Sequence, residues 1–277
     1  MVTGEVANTP QSEQGQFEGR RIEWKVETFG DTEDLFTLNN PCGLAISDND
    51  LVMCDRDNHR VVVKKRASKQ VSYLSFNSRF KLEFMPQDVV ILSANNLLII
   101  TDRGNQQIVV SDCQCKLVRT FGHEQTNFEP FGIALMVPFV IVSDIAEHRI
   151  IKYTTEGEYT AEVGGYGKGY GQFNEPYSVA VNSVNQVIAS DFHNHRVQVF
   201  NSELKFLYTV GTAESSLGPL RNPYGVDVDS DDNMYVCDFD KHRIVKFTRE
   251  GQPVCSLFES QIKTTMYIAI SKGRLTS

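Results

Sequence analysis

Apolar and polar positions alternate along this chain in short blocks. Runs of β-branched and aromatic residues at 51–54, 97–101, 139–143, 186–190 and 234–237 each end on an Asp. A polar turn follows, then a second β-branched run that begins at Arg60, Gln107, Arg149, Arg196 or Arg243. Short apolar runs separated by turn residues predict β-strands, and no helical periodicity of useful length appears.

The blocks recur at a fixed interval. The Asp residues are Asp55, Asp102, Asp144, Asp191 and Asp238, at steps of 47, 42, 47 and 47. A second landmark keeps the same spacing: Pro41, Pro86, Pro130, Pro176 and Pro223 each open another short apolar strand. A fourth run, at 71–74, 116–120, 158–163 and 205–210, precedes the next Pro. Four strands in about 45 residues form the unit of a β-propeller blade, and neighbouring units bury each other's apolar faces.

Five whole units span 37–260. The segment 264–277 resembles an inner strand without its Pro, and 21–30 resembles the outer strands. Joined, they predict a sixth blade closed by both termini, which removes free sheet edges. The expected architecture is therefore an all-β, six-bladed propeller over 17–277, with a disordered leader at 1–16.

Composition narrows the partners. The formal charge is −8 with a pI near 5.3. That disfavours binding duplex DNA through broad phosphate neutralisation. Residues 1–16 carry no signal-peptide pattern, and no apolar run reaches membrane-spanning length. Cys42, Cys54, Cys113, Cys115, Cys237 and Cys255 are too irregularly spaced for a disulfide framework. Reduced thiols, a cytoplasmic setting and a monomeric domain are the expectation.

The string from Gly167 through Phe173, Pro176 and Tyr177 to Asp191, His195 and Arg196 resembles the NHL repeat, most of all the carboxy-terminal propellers of TRIM-NHL proteins. The second copy departs from the pattern. Gln106 and Gln107 replace His-Arg, Asp88 stands where Gly is usual, and the spacer 71–85 lacks Gly-x-Phe. The resemblance implies recognition of single-stranded RNA, with U-rich segments or short hairpins as the family's ligands, and post-transcriptional control of bound transcripts. It also implies that ubiquitin-ligase chemistry belongs to a RING domain outside this chain. The alternative it implies is a platform for protein partners or ligase substrates.

The repeated residues themselves read as scaffold. An Asp and an Arg bracketing a tight turn can form a buried ion pair, and removing one partner of such a pair costs several kcal/mol. His59, His148, His195 and His242 occupy equivalent positions in different blades, too far apart to share a zinc ion. A related NHL-type propeller is a zinc lyase acting on peptidyl-hydroxyglycine. Here no additional histidine cluster beyond His123 and His193 supports such a site, so no metal, cofactor or catalytic activity is expected. The Gly-rich stretch 164–171 lacks the Gly-Lys-Ser/Thr ending of a phosphate cradle and reads as a connector.

Variation inside the frame points to the site. The residue after each Pro (Cys42, Gln87, Phe131, Tyr177, Tyr224) and the interior of each Asp-to-Arg turn should share one face. The turns contribute Arg56, Asp57 and Asn58; Arg103 and Asn105; Ile145 and Glu147; Phe192, His193 and Asn194; Phe239, Asp240 and Lys241. Phe131, Tyr177, Phe192, Tyr224 and Phe239 are candidates to stack splayed bases. Arg56, Arg103 and Lys241 would contact phosphates or base edges, and Asn58, Asn105, His193 and Asn194 would read edges. Charge near these residues is close to balanced, which weakens the phosphate attraction.

Overall fold

The computed structural model describes residues 2–4, 24–25, 38–68, 70–76, 82–114, 116–122, 127–212, 215–258 and 267–270. Within them the apolar runs form five four-stranded antiparallel sheets, each a simple meander in sequence order. Blade 1 comprises Pro41–Ile46, Asp50–Asp55, Arg60–Lys65 and Val71–Leu74. Blade 2 comprises Pro86–Leu92, Leu97–Asp102, Gln107–Asp112 and Leu117–Phe121. Blade 3 comprises Pro130–Met136, Phe139–Asp144, Arg149–Thr154 and Tyr159–Gly164. Blade 4 comprises Val179–Val181, Val187–Asp191, Arg196–Phe200 and Phe206–Val210. Blade 5 comprises Pro223–Val228, Met234–Asp238, Arg243–Phe247 and Pro253–Leu257.

The expectation of six such blades is corrected: there are five among the described residues. The remaining sheet has three short strands, with Val2–Gly4 between Trp24–Lys25 and Ile268–Ile270. Val2–Gly4 runs parallel to Ile268–Ile270, so this sheet is not the antiparallel meander of a blade. Neither terminal segment contains an Asp followed five residues later by Arg, so nothing there pins a hairpin between second and third strands. Ile268–Ile270 packs against the inner strands of both blade 5 and blade 1. The rest of 1–16, 21–30 and 264–277 lies outside the described residues.

Stability comes from the interfaces between blades. Separate apolar clusters join blades 1 and 2, 2 and 3, 3 and 4, and 4 and 5. A sheet covered on both faces buries successive residues, as in Val61, Val62 and Val63, so its strands read as unbroken apolar runs. Phe84, Phe128, Phe173 and Leu220, two or three residues before Pro86, Pro130, Pro176 and Pro223, lie fully or almost fully buried in these interfaces. Blade 2 therefore has its wedge, Phe84, even though its spacer lacks the Gly-x-Phe spelling.

The Asp-to-Arg turns tie the molecule together. Arg60, Arg149, Arg196 and Arg243 donate from Nε to Oδ2 of Asp55, Asp144, Asp191 and Asp238 at 2.7, 3.0, 2.8 and 2.8 Å. Gln107 does the same for Asp102 at 3.1 Å. The other carboxylate oxygen of each Asp accepts a backbone N–H from the connector that enters its blade, from Asn39, Met85, Glu129, Asn174 and Arg221. All five carboxylates are fully buried.

The residue before each Arg or Gln adopts a left-handed conformation, with φ between 51° and 57° at His59, Gln106, His148, His195 and His242. Three of the histidines then reach the next blade. His59 Nδ1 donates to the Phe84 carbonyl at 3.0 Å, while His148 and His195 accept the N–H of Glu175 and Asn222 at 3.0 and 3.2 Å. Gln106 makes the corresponding reach to Asn127 at 3.2 Å.

Candidate functional site

Each inner strand of blades 1, 2, 3 and 5 begins with its Pro paired opposite the clamp Asp, and the register then skips two residues. A bulge of this kind re-aims side chains. Here it turns the residue after the Pro toward the propeller axis, on the same face as the Asp-to-Arg turns.

Three of these residues meet there. Tyr177 and Tyr224 stack at 4.5 Å and 14°, and Phe131 meets Tyr177 edge-on at 4.8 Å. Two turn residues join them: Phe192 lies 4.9 Å from Tyr177, and Phe239 lies 6.1 Å from Tyr224. The result is one continuous aromatic plug at the axis. Phe131 is buried within it, whereas Tyr177, Phe192, Tyr224 and Phe239 are half-buried and expose edges. Cys42 and Gln87 complete the same tier and are buried.

Sequence reasoning missed Tyr267, which packs 5.4 Å from Tyr224. Aligning Ile268-Ala269-Ile270 with Leu44-Ala45-Ile46 puts Tyr267 at the position of Gly43, Asp88, Gly132, Ser178 and Gly225, and that alignment is the signal that could have found it. The glycines at this position allow close approach between inner strands. A Cβ on Gly132 would lie 2.7 Å from the Tyr177 carbonyl oxygen. Asp88 and Ser178 bridge instead, accepting the N–H of Ile133 and Val226 in the following blade, each at 3.1 Å. Behind this tier is a central cavity of about 510 Å³, lined by the inner strands and by Asp88, Asp227 and Tyr267.

Electrostatics keep the plug neutral. Burial, with smaller help from its bond to Glu175, raises the Tyr177 phenol, which donates to Glu175 Oε2 at 2.8 Å. Burial also pushes Tyr224 up to about 12 and raises Tyr267 well above its ordinary range. Asp88 is pushed up by burial to about 7.

The nominated polar residues are engaged close by. Arg56 pairs with Asp57 at 2.9 Å, and Arg103 pairs with Glu129 at 3.0 Å. Lys241 donates to the Pro219 carbonyl. His193 lies 3.4 Å from Glu175 and is 45 % exposed. Asn58, Asn105 and Asn194 turn their amide nitrogens inward to the clamp residues Asp55, Asp102 and Asp191 at 2.8, 2.9 and 2.8 Å. Aromatic residues are thus gathered, while the amides belong to the turns.

Among the described residues no three His, Cys, Asp or Glu side chains converge on a point where they could hold a metal ion. Cys42, Cys54, Cys113, Cys237 and Cys255 are free thiols. No helix among the described residues is long and apolar enough to cross a membrane.

A ring of four-stranded antiparallel blades around a central cavity defines the class: a β-propeller. Residues 173–200 and 220–247 match the NHL repeat. No curated protein is similar enough in sequence to match.

Solved structures share the fold at low identity. A streptogramin B lyase is 15% identical with a TM-score of 0.65, covering 84% of this chain and 74% of its own. A catalytically inactive virginiamycin B lyase from Staphylococcus aureus with quinupristin gives 15% and 0.65, covering 84% and 75%. A nidogen/laminin complex gives 14% and 0.66, covering 83% and 84%. These are not TRIM-NHL proteins, and the expected likeness to that group finds no support among them.

The lyases correct one expectation. The inference from a repeated scaffold to a non-catalytic module is overturned, because the same architecture carries an enzyme. Chemistry resides in groups grafted onto a fold, so a propeller does not exclude it.

Proposed function

We propose that the turn-bearing face of this propeller docks polypeptide, with the aromatic plug as its centre. The observation that carries the reading is the contiguous set of half-buried rings Tyr177, Phe192, Tyr224 and Phe239 at the axis. Protein interfaces concentrate their energy in such rigid aromatic anchors beside Arg. Charge favours polypeptide over single-stranded RNA. Arg56 and Arg103 flank the plug but are each paired to a carboxylate, so the attraction for phosphate is small. The rings also stack on one another, which leaves edges for a partner and few open faces for bases. A propeller of the same fold has been solved in a nidogen/laminin complex, which is compatible with this use.

The test is selection of a displayed random-peptide library on the folded chain, followed by affinity measurement on Phe192→Ala/Phe239→Ala. Loss of one central aromatic anchor typically costs about 2 kcal/mol or more, so binding should weaken at least about tenfold. Failure to select any peptide, together with oligouridine binding that the same double variant abolishes, would replace this reading with RNA recognition.

A further inference from the structure

We propose that a cleft on the rim of blade 3 receives an arginine or lysine side chain from an extended segment of a protein partner. The proposal rests on the docking reading above and adds the partner's charge. It starts from one position in the repeat, three residues after the clamp Asp, occupied by Asn58, Asn105, Glu147, Asn194 and Lys241. In blades 1, 2 and 4 the Asn donates to the clamp carboxylate. A glutamate cannot donate. Glu147 keeps only its backbone N–H near Asp144 Oδ1, at 3.4 Å, and its residue is exposed.

The surroundings make that carboxylate count. Arg149 is held by two acids, donating to Asp144 at 3.0 Å and to Glu162 at 2.9 Å. Glu147 and Glu162 thus share the cleft with one guanidinium, which Asp144 holds from beneath. Glu147, Arg149, Glu162, Val163, Gly164 and Gly165 line a cleft of about 370 Å³. Gly164 lets the chain close onto blade 3, since a Cβ there would sit 2.4 Å from Arg149 Cα. Gly165 borders open space.

An exposed tyrosine follows the lining residue Gly165. Tyr166 is 70 % exposed and its ring lies 5.2 Å from that of His148. Tyr159, 51 % exposed, lies further along the same strand, on the other side of a register shift from Glu162. The loop carrying Tyr166 is fixed in place. Gly165 donates to the His148 carbonyl at 2.9 Å, Gly167 and Phe173 close a bridge, and Asn194 donates to the Gly167 carbonyl at 2.7 Å. A rigid aromatic loop loses little entropy when a partner arrives. Lys168 lies beyond Gly167, at the end of the loop that Arg196 ties to blade 4 through the Gly169 carbonyl.

An acidic slot beside the exposed ring of Tyr166 fits a cation, which gains both charge attraction and a ring to rest against. The chain's net charge of −8 favours the same partner.

The experiment is a titration of the ¹⁵N-labelled chain with an acetylated, amidated Gly-Arg-Gly-Arg-Gly peptide, with Gly-Glu-Gly-Glu-Gly as control. The arginine peptide should shift the amides of Glu147, Gly164, Gly165 and Tyr166, and the glutamate peptide should not. Glu147→Lys, an exposed change whose folding circular dichroism can verify, should weaken binding about tenfold. Tyr166→Ala should weaken it about threefold. Shifts confined to Tyr224 and Phe239 would overturn the cleft and leave the docking face standing. Equal response to both peptides, no response, or an unchanged affinity in Glu147→Lys would overturn it as well.

Discussion

At the scale of single residues, the Asp-to-Arg pairs show why a repeated polar motif can be structural. Asp191 accepts from Arg196, Asn174, Asn194 and Gln198, and none of its surface meets water. Asp191→Ala would take away the acceptor that these four donors share, and urea unfolding should show a loss of about 3–5 kcal/mol. A loss below about 1 kcal/mol would mean that the turn holds without its ion pair. Asp88 has a different signature. Its folded carboxyl titrates near 7, above its unfolded value, so the native state binds the extra proton. Its contribution is full below about pH 4 and is lost as pH rises toward 7. Asp102 and Asp191 are also raised by burial, so the test is a difference. Asp88→Asn should flatten the fall in stability between about pH 4 and pH 7 relative to the parent chain. Identical slopes in the two proteins would contradict that assignment.

At the scale of elements, the blades were legible because their periodicity has a mechanical cause. The repeats supply a Pro at or just before the inner strand, a clamped turn and, from blade 2 onward, a buried wedge, and all three leave residues at fixed spacing. Phe173→Ala should destabilise the chain by about 3–5 kcal/mol, measured by denaturant midpoint, because it empties the interface of blades 3 and 4. The closing sheet was less legible. Its strands carry neither clamp nor Pro, and Val2–Gly4 sits in a polar segment with no strand pattern. Its pairing to Ile268–Ile270 is a contact between chain ends, which local pattern cannot reveal. Within the candidate site, the shared face of the two loop classes followed from topology. The inward turn of the Asn amides did not, because it depends on a carboxylate that the sequence alone does not place within reach.

At the scale of the whole molecule, a rigid ring presents a neutral aromatic centre and, at the rim of blade 3, an acidic slot. Both belong to a chain whose net charge is negative, and neither favours a polyanion. The central claim is therefore a choice of ligand class. The direct measurement is anisotropy competition between a library-selected peptide and oligouridine at low and moderate salt. The account predicts peptide binding that changes little with salt and no oligouridine binding at tens of micromolar, since few phosphates can be neutralised. Oligouridine that displaces the peptide and loses affinity steeply with added salt would contradict it.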